Sequence, residues 1–373
     1  MKNPMRIGLV CPYNMTKGGG VQECVRALRD GLAKRGHAVK IITPLPRQNN
    51  VVEEKDVIYV GRARDFKSPF ATVGQISVSI NTKAMESVLE KERFDILHFH
   101  EPWVPIVSRQ ILSRSTAKNV ATFHAKLPDT MMSKTIERVI TPYTKSIISY
   151  LDGYTAVSDA AAEYVASITD EPIEIIPNGI HLQNFTGKRD NGHNTFLYVG
   201  RLERRKGVKY LIKAFAGLVD SLPDAKLVIA GDGPDRPKLE LLCQQLEISD
   251  DVHFAGFVSE EEKDRLFKTS RVFCSPAMYG ESFGIVLLEA MAYGLPLVAG
   301  NNPGYTGVLQ DLGAISVVNP KDTEEFTRRL LVFAENEQLR DTWQNWAKTY
   351  VKRFDYEEVV SHYEDFYQRL LDE

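Results

Sequence analysis

The amino-acid sequence predicts an α/β protein made of two doubly wound parallel-sheet domains, and three observations carry that expectation. Apolar, β-rich runs alternate with stretches of helical spacing, the pattern of parallel strands joined by crossover helices that cover both faces of a sheet. The chain has 373 residues, more than one core usually serves, because single cores stop growing at roughly 250 to 300 residues. A polar stretch from Leu182 to Asn194, containing Thr186-Gly-Lys-Arg-Asp-Asn-Gly192, separates two series of strands and has the composition of a linker.

In the first series, strands are expected at Arg6 to Cys11, Ala38 to Thr43, Val57 to Val60, Ile96 to Phe99, Asn119 to Thr122 and Gly153 to Ala156. The second begins at Thr195 and continues at Lys226 to Ala230, Val252 to Ala255, Val272 to Ser275, Leu297 to Ala299 and Ala314 to Val317. The last segment, Tyr356 to Leu371, places Val359, Tyr363, Phe366, Tyr367 and Leu370 at helical spacing and needs an apolar surface to cover. The expected division is therefore residues 1–180, 181–355 and a terminal helix, 356–373. No solenoid repeat or low-complexity tract interrupts this pattern.

Composition narrows the function. A net charge of -3 lacks the excess of cations that a general nucleic-acid binder needs to neutralise a phosphate backbone. Cys11, Cys24, Cys243 and Cys274 show no close metal-ligand pairing, and buried reduced thiols are expected. The apolar part of Met1 to Val10 is too short for a signal peptide, Met1 to Pro4 are expected to precede the fold, and no run approaches the roughly 18 to 20 apolar residues of a membrane helix. The expectation is a cytoplasmic, monomeric enzyme whose membrane contact, where it has one, is local and peripheral.

The chemistry concentrates around Glu281-Ser-Phe-Gly-Ile-Val-Leu-Leu-Glu289. A helix beginning near Phe283 would turn the free N-H groups of Phe283, Gly284, Ile285 and Val286 toward a phosphate or a sugar oxygen. Glu281 beside such an anion suits neutral hydroxyls, with Glu289 two turns deeper. Taken alone, the pair is better explained as an ordinary helix start with a solvated second glutamate, and its neighbours change that balance. A strand, Thr195 to Val199, followed by Gly200-Arg201 and Arg205-Lys206-Gly207, makes another phosphate-facing edge, where Arg201 and Lys206 could neutralise a departing diphosphate. The run Lys17-Gly-Gly-Gly-Val21, with Gly18, Gly19 and Gly20, lets backbone approach a ligand. It lacks both the G-x-G-x-x-G spacing and the Gly-Lys-Ser/Thr of a P-loop, which counts against a dehydrogenase or an NTPase. His98, His100 and His124 close two strands without a zinc-like ligand pattern, so no metal site is expected. A structural hydrogen-bonding role is read for His98 and a substrate role for His124.

The order of motifs resembles the retaining, nucleotide-sugar-dependent glycosyltransferases of the GT-B fold, in the GT4 or group 1 family. The resemblance rests on Gly18-Gly-Gly20, His98-Phe-His-Glu-Pro102, Thr122-Phe-His124, Val157-Ser158, Ile176-Pro-Asn-Gly179, Val199-Gly-Arg201, Arg205-Lys-Gly207, Ala230-Gly-Asp-Gly-Pro234, Phe254-Ala-Gly-Phe-Val258 and the two-glutamate segment. Val10-Cys-Pro-Tyr13, Gly19-Gly-Val-Gln22 and Gly280-Glu-Ser-Phe-Gly-Ile-Val286 look most like the phosphatidylinositol mannosyltransferase subfamily.

The resemblance implies two Rossmann-like domains facing a cleft and a terminal helix crossing back to the first. It implies catalytic roles for His124, Arg201, Lys206 and Glu281. Donor binding falls to Gly19, Gly20, Gly200, Val258, Glu260, Lys263, Phe283, Gly284, Ile285, Val286 and Glu289, and acceptor binding to Tyr13, Gln22 and Glu101. Since no first-domain carboxylate is placed to attack the sugar, the family pattern implies that the diphosphate oxygen helps deprotonate the acceptor on the same face.

A carboxylate at Glu260 can accept from guanine N1-H and its amine while Lys263 donates to O6. GDP-mannose is thus the favoured donor and UDP-sugars the alternative, although a charged helix start with a surface ion pair explains the same residues. No tightly bound cofactor is implied; the nucleotide sugar is a substrate, with Mg2+ as an optional assistant. The loop Ser68 to Ile76 departs from the subfamily, lacking its Tyr-Asn pair and its lipid-phosphate arginine, so other lipid-linked or soluble sugar acceptors stay open. For membrane contact, the helix Asn81 to Arg93 is nearly charge-balanced. Met131 to Ile140, with Lys126, Lys134, Arg138 and Lys145, makes a modest basic amphipathic surface that a packed helix would also explain. Two further classes remain: a nucleotide-sugar binding protein without turnover, and a phosphorylase, for which no pyridoxal-phosphate lysine site is evident.

Overall fold

The computed structural model describes residues 3–16, 18–46, 55–67, 73–77, 82–104, 107–125, 141–187, 189–190 and 194–373. The chain divides into two units, one comprising Met1–Gly179 and Tyr356–Glu373, the other Ile180–Asp355.

The first unit holds an eight-stranded sheet: β1 Arg6–Val10, β2 Ala38–Leu45, β3 Val57–Lys67, β4 Val73–Ser77, β5 Ile96–His100, β6 Lys118–Phe123, β7 Gly153–Ala156 and β8 Ile173–Ile175. Their order is β4-β3-β2-β1-β5-β6-β7-β8, parallel throughout except for the antiparallel β3-β4 pair. A central strand buried on both faces has no polar side to present, and β1 accordingly buries every residue after Arg6. The helix Gly20–Lys34 packs Cys24, Val25, Ala27, Leu28 and Leu32 inward. The last helix, Tyr356–Asp372, buries Val359, Val360, Tyr363, Phe366, Tyr367 and Leu370 in the same core as Ile7, Leu9 and Leu28. At roughly 1.5 to 3 kcal/mol for each fully buried large side chain, this face alone is enough to hold the helix in the first unit.

The second unit holds β9 Thr195–Val199, β10 Lys226–Ala230, β11 Val252–Gly256, β12 Val272–Ser275, β13 Leu297–Gly300 and β14 Val317–Val318, all parallel, in the order β11-β10-β9-β12-β13-β14. Both sheets are α/β and doubly wound, as the alternating pattern predicts. In each the strand order reverses beside the first strand of the unit, between β1 and β5 and between β9 and β12. Ligands of such sheets sit outside the carboxyl ends of the strands at that reversal.

Several local expectations need correction. β4 and β8 were not foreseen; β4 carries a glycine, and β8 is three residues between prolines. The strand expected at Ala314 to Val317 is instead a 3-10 turn, Asp311–Ser316, leading into β14. Asp311 is left-handed there (φ 52°), and Ser316 accepts the indole N-H of Trp343 at 2.9 Å. The chain passes between the units at Gly179–Ile180 and Asp355–Tyr356, not within Leu182 to Asn194. The reason is local packing: Ile180 pairs with Asp355, and Phe185 packs edge-on against Tyr293 with ring centres 5.1 Å apart.

Gly207 joins the β9 edge to the β12 edge. It is left-handed (φ 69°), and a Cβ there would collide with the carbonyl oxygen of Pro276. Backbone cannot step aside as a flexible side chain would, so Gly207→Ala is expected to cost at least about 2 kcal/mol. Urea unfolding of the variant checks this; an unchanged midpoint would show that the turn is looser than described.

Candidate active site

At the carboxyl edge of the second unit's sheet, the switch between β9 and β12 gathers five charged side chains. Tyr198 at the end of β9 donates to the Arg201 carbonyl at 2.9 Å and fixes the turn through Gly200. The next turn, Arg204–Lys206, is tied to the β12 side by Met278 N-H on the Arg205 carbonyl at 2.9 Å. This brings Lys206 Nζ within 2.8 Å of Glu281 Oε1, the oxygen on which Arg205 also donates. Arg205 reaches Gly280 O at 3.2 Å and Glu203 Oε2 at 3.0 Å as well. Arg201 pairs with Glu203 at 3.2 Å but stays 54% exposed, against 17% for Lys206. Three cations against two carboxylates leave this edge with a surplus positive charge, suited to an oxyanion.

Gly284 is left-handed (φ 103°) and caps a helix, Ile285–Ala292, that starts two residues later than expected. A glycine at this position is what permits the tight entry. Phe283 is consequently no part of the first turn: its side chain is buried edge-on against Phe354. Leu287 N-H bonds the Gly284 carbonyl at 2.9 Å, and Ile285 and Val286 open the first turn, at positions whose amides a helix cannot satisfy by its own carbonyls.

Glu289, one face further along this helix, meets Lys263 at 3.0 Å, and Lys263 meets Glu260 at 3.1 Å. The helix Glu260–Thr269 that carries the latter pair begins where Ser259 caps the Glu262 N-H, directly after Val258 leaves β11. Burial pushes the Glu289 carboxyl above its ordinary range, with Lys263 pulling the other way. Burial works against the Lys263 ammonium, yet Glu289 and Glu260 hold its pKa above the usual value. Glu260 itself is 84% exposed.

In the first unit, β1 and β5 deliver the corresponding residues. Tyr13, just past β1, has its carbonyl held by the Thr43 hydroxyl at 2.8 Å, and Gln22 reaches the Asn14 carbonyl at 3.5 Å. Gly18, Gly19 and Gly20 are exposed at the start of the helix Gly20–Lys34. Glu101 is buried and left-handed (φ 51°), and its Oε1 accepts the His124 N-H at 2.7 Å. Burial raises its carboxyl to about 8, with the backbone hydrogen bonds from His124 and Ala125 opposing.

His124 Nε2 lies 2.9 Å from His100 Nδ1, and the His100 ring lies tilted against His98 with centres 4.2 Å apart. His98 in turn bonds Tyr367 at 2.7 Å and Thr122 at 2.5 Å. Burial depresses all three imidazoles, His98 and His124 to about 3 and His100 well below its ordinary value, so they stand neutral. Cys24, far away in sequence, joins His100 and His124 within 4.8 Å. One sulfur and two nitrogens form a soft donor set. The imidazoles already engage each other, however, and burial holds the thiol up at about 12. All four cysteines are free and buried.

Residues given no role from sequence enter here. Arg205 and Glu203 tie the β9 turn to Glu281, and Asn178 bonds the His124 side chain. Arg205 and Asn178 both stand inside the motifs quoted above, but only the folded turn shows what they touch. Met131 to Ile140, with Lys126, Lys134 and Arg138, lies outside the described residues, as do Lys17 and the first part of Ser68 to Ile76. Among the described residues, no helix is long and apolar enough to cross a membrane.

Comparison with known proteins shows the family. Residues 182–350 match the model of glycosyl transferases group 1, and residues 18–184 that of Glycosyltransferase Family 4. The chain is 30% identical to the phosphatidyl-myo-inositol mannosyltransferase of Mycobacterium leprae, over 98% of this chain and 97% of that one. It is 24% identical to the alpha-monoglucosyldiacylglycerol synthase of Acholeplasma laidlawii, over 99% and 98%. The Anabaena protein HepE, solved with UDP and glucose, superposes with a TM-score of 0.75 over 98% of this chain and 99% of that one, at 17% identity, which speaks to the fold. The charged switch-point edge and the two-glutamate helix therefore sit in a GT-B enzyme: the chain belongs to the group 1, family 4 glycosyltransferases.

Proposed function

We propose that the protein is a retaining mannosyltransferase that moves mannose from GDP-mannose to a lipid-linked acceptor such as phosphatidylinositol, working peripherally at the cytoplasmic membrane face. The observation that carries the donor half is Lys263 held between Glu289 and Glu260. One carboxylate is half-buried and stationed for ribose hydroxyls, the other is exposed and stationed for a guanine edge, and one ammonium connects them. Lys206 and Arg201 would take the diphosphate together with the Ile285 and Val286 amides, while Glu281, its charge balanced by Arg205 and Lys206, accepts from sugar hydroxyls. His124, neutral and fixed through its N-H by Glu101, is assigned to the transferred sugar, and Tyr13, Gln22 and Glu101 to the acceptor side. Mannose and the inositol lipid are supported by the Mycobacterium leprae relative; the Acholeplasma laidlawii relative favours, as the second reading, a glucosyl donor and a diacylglycerol-type acceptor.

The structure sharpens the test of the base. Removing Lys263 leaves the half-buried Glu289 without its ion-pair partner, which harms any nucleotide. Glu260 is exposed and, apart from its solvent-screened pairing with Lys263, touches only the base in this reading, so Glu260→Gln is expected to weaken GDP by about threefold to tenfold and leave UDP nearly unchanged. Calorimetry with both nucleotides checks it, and equal losses would remove the guanine assignment. A donor screen with GDP-mannose and UDP-glucose, reading nucleotide release with and without lipid acceptor, tests the reaction itself.

A further inference from the structure

The second unit has another cluster of cations, at the opposite edge of its sheet. Arg189, Arg271 and Arg340 line a cavity of about 260 Å³ together with Glu337, Asp341 and Gln344. Arg271 directly precedes β12, so the cavity lies at the amino ends of strands whose carboxyl ends carry Arg201 and Lys206. A five-residue strand such as β9 spans roughly 16 Å, which separates the two edges.

The arginines gather there for a reason visible in the backbone. Arg189 donates to the carbonyls of Gly294 (2.8 Å) and Ser270 (2.6 Å), Arg271 to Ala334 (3.1 Å), and Arg340 to Phe333 (3.0 Å) and Ala334 (2.7 Å). These carbonyls close the helices Glu260–Thr269, Ile285–Ala292 and Thr323–Glu335, whose carboxyl ends carry partial negative charge. Capping explains why cations stand here. Among the described residues, the buried Arg189 Nε has no hydrogen-bond partner. Burial, and then the charges of Arg340 and Arg271, bring the Arg189 guanidinium down to about 10. Burial and Arg271 lower Arg340 in the same way. Among the described residues, three guanidinium groups face two carboxylates, Glu337 and Asp341, which are exposed on the same face of the helix Glu337–Tyr350 as Arg340.

We infer that this cavity is a second anion site, one that takes a small phosphate-type oxyanion on the Arg189, Arg271 and Arg340 guanidinium groups. Planar donors lining one polar cavity match tetrahedral oxyanions, and a bound anion would relieve the mutual repulsion of the guanidinium groups. Free phosphate and a phospholipid head group share this chemistry.

The test uses the whole chain, with unfolding temperature followed against inorganic phosphate at constant ionic strength set by chloride. A saturable rise is expected. Arg340→Gln should weaken the apparent affinity at least tenfold, and Lys206→Ala should keep the response. Asp341→Asn, an exposed change that spares the fold, should tighten binding about threefold to tenfold by removing a rim carboxylate. Vesicles with and without phosphatidylglycerol form the second arm. Arg340-dependent binding to the anionic vesicles without a phosphate response would assign the site to a lipid head group. A phosphate response lost in Lys206→Ala and kept in Arg340→Gln would place the anion at the diphosphate edge and overturn the inference. An effect that chloride reproduces, or Asp341→Asn without tightening, would overturn it as well.

Discussion

Lys206→Ala is expected to lower kcat/KM for sugar transfer by about 100-fold, with Arg201→Ala lowering it by only about tenfold. Both remove a charge-assisted contact to the leaving diphosphate, a type worth about 1.5 to 3 kcal/mol. The ranking comes from burial. Lys206 has a side chain 17% exposed and locked on Glu281 at 2.8 Å, whereas Arg201 is 54% exposed and shared with Glu203, so water screens it. A 100-fold loss corresponds to about 2.7 kcal/mol of transition-state stabilisation. Calorimetric titration with GDP and UDP should show the same order. Unchanged affinity for both nucleotides in both variants would remove the diphosphate assignment, and a larger effect at Arg201 would reverse the ranking that burial gives. Arg205 remains on Glu281 in either variant, so the carboxylate keeps one partner and the turn is expected to stay folded.

The first unit is expected to lose stability steeply as pH falls from 7 to 5. His98, His100 and His124 all have folded-state pKa values depressed by burial, against about 6.5 in the unfolded chain. Below pH 6.5 the unfolded state therefore binds protons that the folded state refuses. The stability these neutral imidazoles contribute is complete above that pH and is lost as pH falls toward about 3. Each contributes a slope of about 1.4 kcal/mol per pH unit in the fully developed range.

Glu101 has the opposite sign. Its folded pKa is raised to about 8, so its contribution is complete below about 4.5 and is lost as pH rises through 8. Between pH 6.5 and 4.5 one carboxyl works against three imidazoles, and the net effect of acid is destabilising. Hydrogen exchange at β5 and β6 amides reads the first unit alone. His98→Gln can still bond Tyr367 and Thr122 but does not titrate, and should reduce the net slope by about half. Flat protection between pH 7 and 5, or an unchanged slope in His98→Gln, would show that the imidazoles are charged or open to solvent.

Much of this was legible in the sequence because it is written in local patterns. The β runs at Arg6, Ala38, Ile96, Lys226 and Val272 are short, apolar and bounded by turn residues, and alternation with helices leaves a parallel, doubly wound sheet as the arrangement that buries them. The spacing of Val359, Tyr363, Phe366, Tyr367 and Leu370 marks a one-faced helix without saying what it covers. Tertiary structure supplied the core around Ile7 and Leu28, and set Tyr367 on His98 across 269 positions of sequence.

The same division holds at the active edge. Gly207, Glu281 and Glu289 stand out by type and spacing. That Arg205 and Lys206 share one oxygen of Glu281, and that Lys263 joins Glu289 to Glu260, depends on where β9, β11 and β12 end. The two-glutamate helix starts at Ile285 and not near Phe283 because a glycine's left-handed φ is invisible in its letter, and Gly284 sets the first turn at Ile285 and Val286. Sequence alone determined which residue types the chain brings to its strand ends, since periodicity and turn chemistry act over a few residues. Which charges meet, which imidazoles are stripped of water and where three arginines converge were decided by tertiary packing, because burial and Coulomb interactions depend on distances in space that neighbouring residues do not set.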